Sequence, residues 1–356
     1  MTRLANFLII VTCAMLAIGF ASANNQSKDG VPDRIIAVGD LHGDYDAYLS
    51  ILSRAGLADK RGRWTGGETA FVQTGDIVDR GPDSLKIITH IRKLQKDAKK
   101  KGGKVVTLVG NHEAMNVIGD LRYVHPGEYE AFANRRSERL RASLFNANKT
   151  AIEAFYLEQD PTLSSQAIRE KWEAATPLGK IEHQRAWAPD GEVGEWIVAN
   201  PVVARIGANL FAHGGLSAEY STFTIDEINR QAAADLLARA QELTASINDP
   251  LGPLWYRGLV QREEQTGETE TATSAVRPTI EQEIEIVLNA FAAERMIIGH
   301  TPALKGVRTS QNGRIIQIDT GIANYYDGVG EYLEITGGKI MAHPIGGDGP
   351  SRVIAE

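Results

Sequence analysis

The chain has 356 residues, of which 43% are hydrophobic and 23% charged, which is typical of a globular protein with one large or two small domains. Its formal net charge of −7 argues against a nucleic-acid-binding surface and against a surface that binds anionic membranes. We therefore expect no nucleic-acid partner.

The first 23 residues have the features of an export signal. Arg3 opens a short basic region, residues 8–20 are apolar, and Ala21-Ser22-Ala23 matches a cleavage site. The apolar run is too short for a comfortable membrane span, so an uncleaved anchor is the weaker alternative. We expect a signal peptide at 1–23, a flexible leader at 24–33 and a periplasmic or secreted protein without stable membrane insertion. Cleavage would remove Cys13, the only cysteine, and with it any thiolate ligand or nucleophile.

The first predicted strand covers residues 34–38 and is rich in β-branched residues. It runs into a glycine loop that contains Asp40 and His42. Two such residues at the end of a strand can direct a carboxylate oxygen and an imidazole nitrogen to one point, which is half of a transition-metal site. Taken alone the pair is weak evidence, because Asp and Asn after glycine are common turn residues.

The same arrangement recurs twice. A second predicted strand, residues 71–76, ends in Gly-Asp, and a third, residues 105–110, runs into Asn-His-Glu. The intervals, 76 − 40 = 36 and 111 − 76 = 35 residues, each leave room for a strand–helix–strand crossover. Parallel crossovers bring the carboxyl ends of successive strands to one edge of a sheet, where ligands bind. We therefore place five side chains in one crevice: Asp40, His42, Asp76, Asn111 and His112.

Helices are predicted between these strands. Asp44 is expected to cap a helix that ends near Ala55, and Pro82 to lie in the first turn of a second helix that ends in the basic residues 99–101. From residue 114 to about 194 the alternation stops, and only helical spacing remains. We predict a helical cap inserted there. Two interpretations stay open: the cap covers the crevice and selects the substrate, or it is purely structural.

Strand patterns return later in the chain, at residues 196–205, 210–212 and 296–299. The last two run into His213 and His300. Helices are predicted at 224–243 and 279–292, with a mobile acidic loop at 261–278 before the second. Three C-terminal segments are predicted to be strands of a second sheet: residues 315–318, 332–335 and 339–343.

The predicted ligands offer oxygen and imidazole donors, which suit Mn, Fe, Zn or Ni. They are too many for one tetrahedral ion, and Asp76 could bridge two. Two ions about 3.5–4 Å apart can bind the attacking and leaving oxygens of an in-line displacement and generate hydroxide at neutral pH. Phosphoester hydrolysis fits, with Arg80 and Arg257 as candidates to bind the phosphoryl oxygens. A structural salt bridge is the alternative for either arginine.

Four motifs resemble, in the same order, those of the phosphoprotein phosphatases, a branch of the calcineurin-like metallophosphoesterases. They are Gly39-Asp40-Leu41-His42-Gly43, Gly75-Asp76-Ile77-Val78-Asp79-Arg80-Gly81, Gly110-Asn111-His112-Glu113 and His213-Gly214-Gly215. Three further segments are similar to those of the bacterial Shewanella-like phosphatases: residues 111–124, 299–302 and 319–323. The resemblance spans about residues 34–320. It implies an α/β fold of two mixed β-sheets, packed as a sandwich and flanked by helices, with a catalytic domain at 34–350.

The resemblance also implies a role for each site residue. One divalent ion would be held by Asp40, His42 and Asp76, and a second by Asp76, Asn111, His213 and His300. His112 would be the general acid, oriented by Asp79, because a histidine beside a carboxylate can donate a proton near neutral pH. Arg80, Arg257 and Asn111 would bind the phosphoryl group, and a hydroxide that bridges the metals would attack it. Ala323-Asn324 departs from the family pattern, where a small hydroxyl residue is expected.

Three functions follow from these expectations. The first is a metal-dependent protein phosphatase that acts on phosphotyrosine, phosphoserine/threonine or both. The second is a nucleotide or dinucleoside-polyphosphate hydrolase, which would need a base-stacking pocket that only the cap could supply. The third, a non-catalytic binding module, is disfavoured because no predicted ligand and no predicted acid is replaced.

Overall fold

The computed structural model describes residues 31–262, 277–346 and 349–355 and builds them around two β-sheets. The predicted signal peptide lies outside the described residues, as do most of the predicted leader and most of the predicted mobile loop. Within the described ranges, no helix combines the length and the apolar character needed to cross a membrane.

The strands, in chain order, are β1 (Arg34–Val38), β2 (Ala70–Gln73), β3 (Lys104–Thr107), β4 (Val203–Ile206), β5 (Asn209–Ala212), β6 (Arg295–Ile298), β7 (Arg308–Ser310), β8 (Ile315–Gln317), β9 (Glu331–Thr336), β10 (Lys339–Pro344) and β11 (Arg352–Ala355). The first sheet has the order β11-β10-β9-β1-β2-β3, and the second has the order β4-β5-β6-β8-β7. Strands β1, β2 and β3 are parallel, as are β5, β6 and β8. Both sheets are therefore mixed, and each aligns several carboxyl ends at one edge.

The helices, in chain order, are α1 (Tyr45–Arg54), α2 (Ser84–Lys99), α3 (Asn111–Ile118), α4 (Pro126–Phe132), α5 (Ser137–Ala147), α6 (Lys149–Gln159), α7 (Ser165–Ala175), α8 (Lys180–Trp187), α9 (Glu192–Val198), α10 (Ile225–Ala238) and α11 (Ile280–Ala290). The predicted helical stretch between β3 and β4 contains only helices and their connections. Asp44 caps α1 as predicted, since its Oδ1 accepts a hydrogen bond from the amide of Ala47 at 2.9 Å.

The two sheets pack face to face. One apolar cluster joins Val72 and Leu333 of the first sheet with Phe211, Ile297 and Ile316 of the second. A second, larger cluster covers the outer faces and includes the buried side of α2 and of α11. The predicted class, a sandwich of two mixed sheets flanked by helices, is confirmed.

Three local predictions are wrong. Strands β9 and β10 belong to the first sheet, because β9 pairs antiparallel with β1 and places Ile335 opposite Ile35. The predicted strand at 196–205 begins in a helix: its first three residues form the end of α9, and the strand begins only at Val203. A short apolar run does not distinguish the two structures by periodicity alone. Pro82 precedes the α2 N-cap residue, Asp83, and so lies outside the first turn.

Candidate active site

Five strand ends supply the predicted ligands. The loop after β1 carries Asp40 and His42, and the loop after β2 carries Asp76. Residues 111 and 112, predicted to follow a strand directly, open helix α3. Strands β5 and β6 lead into the last two histidines. Every one of these side chains is buried: Asp40, His42, Asp76, Asn111, His112, His213 and His300.

Asp76 lies at the centre of the group. Its Oδ2 lies 3.3 Å from Nε2 of His213, 3.8 Å from Nε2 of His112 and 3.9 Å from Nε2 of His42. One carboxylate oxygen of Asp76 and one ring nitrogen each of His213 and His300 all lie within 4.8 Å of one another. Asp76, His42 and His112 form a second group of three of the same kind. Burial by itself would raise the pKa of Asp76, but the neighbouring histidines hold it well below its usual value. An ionised carboxylate shared by two sets of imidazoles is suited to bridging two cations.

The backbone around the ligands is strained and closely packed. Five site residues that are not glycine have positive φ: His42, Asp76, Asp79, Arg80 and His300. Such conformations cost about 1–3 kcal/mol each and cluster at functional sites. The glycines before the ligands have a different purpose. A Cβ on Gly110 would lie 2.2 Å from Oδ1 of Asp76, and one on Gly299 would lie 2.4 Å from Oδ1 of Asp40. The recurring strand-glycine-ligand pattern therefore reflects close approach.

Hydrogen bonds hold the rings of two histidines in place. Nδ1 of His42 donates to the carbonyl of Val78 at 2.9 Å, and Nδ1 of His213 donates to the carbonyl of Thr74 at 2.9 Å. In both rings Nδ1 is thereby occupied and Nε2 faces Asp76, the arrangement typical of metal-binding histidines. Burial lowers the pKa of His213, but the charge of Asp76 outweighs it and holds that pKa above its usual value. Burial lowers the pKa of His42 to about 3, so the ring is neutral. Nε2 of His300 is buried and has no hydrogen-bond partner.

Asp40 and Asp319 are two further buried carboxyl groups crowded beside Asp76. Burial, followed by the charges of Asp319 and Asp76, raises the pKa of Asp40 well above its usual value. Burial and the charge of Asp76 also raise the pKa of Asp319 to about 6. Asp319 was not predicted as a site residue; it lies two residues after the end of β8, and no glycine precedes it as one precedes Asp40, Asp76 and Asn111. Crowded buried carboxylates call for a cation.

These observations fit a two-metal site. The donors are carboxylate, amide oxygen and imidazole, one imidazole nitrogen is unpaired, and the buried carboxylates repel one another. The assignment of ligands to each ion stays a prediction. Oδ2 of Asp40 lies 3.9 Å from Nε2 of His42. The group of three potential ligands that contains His42, however, is completed by Asp76 and His112 and does not include Asp40. Geometry alone therefore permits His112 to be a ligand instead of an acid.

His112 is held by a chain of hydrogen bonds. Its Nδ1 lies 2.6 Å from Oδ2 of Asp79, and Oδ1 of Asp79 accepts a hydrogen bond from Nδ2 of Asn116 at 2.9 Å. Burial lowers the pKa of His112, but the charge of Asp76 and the hydrogen bond to Asp79 outweigh it and raise the pKa above its usual value. This leaves Nε2 directed towards Asp76 as a potential proton donor.

Two residues of segment 111–124, together with Glu128 of α4, hold the strained loop 76–81. Glu113 accepts hydrogen bonds from the amides of Asp76 at 2.9 Å and Ile77 at 2.8 Å. Glu128 accepts from the amide of Asp79 at 2.9 Å and also from the hydroxyl of Ser84. The carbonyl of Tyr123 accepts from the amide of Arg80 at 3.0 Å. None of these roles was predicted. The Asn-His-Glu triplet could have suggested Glu113, whereas no local pattern marks Glu128.

The two predicted phosphate-binding arginines differ. Arg80 points into the site, with Nη1 at 3.0 Å from Nε2 of His42 and Nη2 at 3.3 Å from Nε2 of His112. Nη1 of Arg257 instead donates to the carbonyl of His300 at 2.9 Å and to Oγ1 of Thr301 at 3.1 Å. Oδ1 of Asn111, the third predicted phosphate contact, lies 3.0 Å from Nε2 of His213. The geometry favours Arg80, and the other two roles stay predictions.

Comparison with known proteins agrees with this geometry. The family model of calcineurin-like phosphoesterases matches residues 33–303. An uncharacterized protein of Schizosaccharomyces pombe is 31% identical over 88% of this chain and 80% of its own length. Shewanella-like protein phosphatase 2 of Arabidopsis thaliana is 32% identical over 87% of this chain and 77% of its own length.

A solved structure is also similar. The cold-active protein-tyrosine phosphatase of a psychrophilic Shewanella species superposes with a TM-score of 0.64 at 26% identity, covering 91% of this chain and 81% of that one. The matched region contains every strand end that supplies a predicted ligand. The chain therefore belongs to the calcineurin-like phosphoesterase family, as a hydrolase of phosphoesters whose relatives include the Shewanella-like protein phosphatases.

Proposed function

We propose that this chain is a metal-dependent protein phosphatase that hydrolyses phosphomonoesters on protein side chains. The observation that carries the proposal is the position of His112, held by Asp79 and facing both Asp76 and the guanidinium of Arg80. The similarity of this chain to proteins that are named as protein phosphatases, over most of both chains, supports the substrate class.

The roles follow from the contacts. Asp40, His42, Asp76, Asn111, His213 and His300 would hold two divalent ions, with manganese as the first candidate. When bound, such ions neutralise phosphoryl charge and supply a hydroxide nucleophile at neutral pH. Arg80 binds and orients the phosphoryl oxygens through its fork of N–H groups. His112 protonates the leaving oxygen, and Asp79 keeps the ring in the orientation that allows this.

The experiment is turnover by the mature chain with Mn²⁺ on three substrates: a phosphotyrosine peptide, the same peptide with phosphoserine, and a dinucleoside polyphosphate. We expect hydrolysis of at least one peptide, and EDTA should abolish it. Asp76→Asn is the matched inactive control, because the variant keeps the side-chain size but loses the bridging charge. Preference for the dinucleoside polyphosphate over both peptides would overturn the substrate class, and activity of Asp76→Asn near that of the wild type would overturn the site.

We also propose that the protein is exported and loses residues 1–23. The basic start, the apolar run and the Ala21-Ser22-Ala23 sequence support this proposal. Sequencing the N-terminus of protein from fractionated bacterial cells tests it. A mature chain that begins at Asn24 in the periplasmic fraction is expected. Recovery of a full-length chain from the cytoplasmic or membrane fraction would contradict export with cleavage.

A further inference from the structure

Three tyrosine rings surround the guanidinium of Arg80. Its Cζ lies 5.5 Å from the ring centroid of Tyr123, 5.3 Å from that of Tyr325 and 5.1 Å from that of Tyr326. These are cation–π distances. The rings come from two distant segments, residues 111–124 and the loop between β8 and β9. Together they line the guanidinium of Arg80, and we call them the tyrosine rim (Tyr123, Tyr325 and Tyr326).

Two of these rings also face solvent. Tyr123 is 44% exposed and Tyr325 is 66% exposed. The loop that carries Tyr325 is anchored, because the amide of Asn324 donates to Oδ2 of Asp44 at 3.1 Å and that of Tyr326 to the carbonyl of Ala323 at 2.9 Å. Asn324, which belongs to the Ala323-Asn324 pair that departs from the family pattern, therefore helps to hold the rim in place through its backbone amide. Exposed aromatic rings in fixed positions beside a binding residue are surfaces on which a ligand can stack.

The rim lies where the leaving group of a substrate must be. In an in-line displacement the leaving oxygen faces the residue that protonates it, here His112. The ring centroid of Tyr123 lies 5.1 Å from that of His112, and that of Tyr326 lies 5.8 Å from that of His42. With His112 as the proposed acid, the group attached to the leaving oxygen would lie beside the ring of Tyr123 and within reach of the other rings of the rim.

We infer that the tyrosine rim selects aryl phosphoesters, so that phosphotyrosine is preferred to phosphoserine. The inference rests on the proposed phosphatase function and names the substrate class of that site. An aryl leaving group stacks on the rim, whereas the alkyl leaving group of phosphoserine has no ring to place there. One aromatic pair corresponds to a preference of about three- to tenfold in kcat/KM.

The test compares small phosphoesters first, because they remove any contribution from peptide residues. The ratio of kcat/KM for naphthyl phosphate to that for glycerol phosphate is measured for the wild type, Tyr123→Phe, Tyr123→Leu and Tyr325→Leu. We expect both leucine variants to lower this ratio about three- to tenfold and the phenylalanine variant to keep it. Phe155→Leu, a change of an exposed ring on α6 away from the site, is the control and should leave the ratio unchanged.

The direction of the change separates stacking from an indirect effect. If Tyr123 only orients His112, its loss weakens protonation and harms the alkyl ester more, because alkyl oxygens are the poorer leaving groups. The ratio would then rise, which would overturn the inference. Equal losses on both esters, as expected if the rim only steadies Arg80, or a ratio that does not change would overturn it as well.

The peptides then separate this inference from the proposed function. With phosphotyrosine and phosphoserine versions of one peptide, the leucine variants should lower the preference for phosphotyrosine by the same factor. If neither peptide is hydrolysed while the small esters show the shift, the protein-phosphatase assignment fails and the aryl selection stands. If both peptides are hydrolysed with an unchanged preference in every variant, the aryl selection fails alone.

Discussion

Asn116 provides the sharpest test of the hydrogen-bond chain behind His112. Its Nδ2 donates to Oδ1 of Asp79 at 2.9 Å and to the carbonyl of His112 at 2.9 Å, and the side chain is buried. Asn116→Ala removes this donor and leaves Oδ1 of the buried Asp79 without that hydrogen bond. A hydrogen bond to a charged group contributes about 1.5–3 kcal/mol, and we expect a loss of stability of that order.

The effect on the rate should depend on the leaving group. General acid catalysis contributes about 10²–10⁴-fold, and a poorly oriented His112 should lose part of it. We expect kcat for an alkyl phosphate to fall about 10- to 100-fold. For p-nitrophenyl phosphate, whose leaving oxygen needs little protonation, the expected loss is only a few-fold.

The assay is kcat against a series of phosphoesters of increasing leaving-group pKa, with the metal content measured alongside. Val117→Ala is the matched control, since it removes buried apolar atoms from the same helix without touching the chain of hydrogen bonds. It should lower stability without changing the dependence on the leaving group. A uniform loss across the series in Asn116→Ala, or loss of bound metal, would refute a positioning role.

Three further predictions concern the metals, the acid and the fold. His112→Asn should retain both metals and lose most of the rate on alkyl phosphates; metal loss, measured by elemental analysis, would make His112 a ligand. Removing metal with EDTA should lower Tm, because the repelling carboxylates of Asp40 and Asp319 lose their counter-ions; an unchanged Tm would argue against ions at this site. His183 is buried with neither ring nitrogen hydrogen-bonded, and burial lowers its pKa to about 3. The unfolded chain binds this proton below about pH 6.5 and the folded chain only near pH 3, so stability falls as the pH drops through that window. As the pH falls from about 8 to 5, the free energy of unfolding of His183→Leu relative to that of the wild type should therefore rise by about 2 kcal/mol, measured by urea unfolding. An equal pH dependence in both proteins would contradict this.

The sequence was most informative where structure is local. The pattern of strand, glycine and ligand identifies Asp40, Asp76 and Asn111 because the close approach of neighbouring loops requires glycine immediately before each ligand. Parallel crossovers then bring these ends together by a general rule of topology. Both features are written into short stretches of chain, and both could be predicted.

What could not be predicted depends on pairing between distant residues. Strand β9 lies beside β1 although about 300 residues separate them, and nothing within either strand names its partner. Glu128, on helix α4 of the insertion, accepts a hydrogen bond from the amide of Asp79. In the sequence it looks like any other acidic residue of an exposed helix, and only the fold buries it. Long-range register and the burial of a single polar residue are properties of the assembled structure.

The two interpretations of the helical insertion apply to different parts of it. Its first part, up to Glu128, together with Glu113 just before it, accepts backbone amides of the strained loop 76–81 and so helps to hold Asp76, Asp79 and Arg80 in their conformations. Positive φ at these residues persists only because surrounding hydrogen bonds outweigh its cost. Helices α6 and α7 pack mainly on each other and on α5, and make no such contact. The start of the insertion thus builds the active site, whereas a role of its outer helices in selecting the substrate stays a prediction.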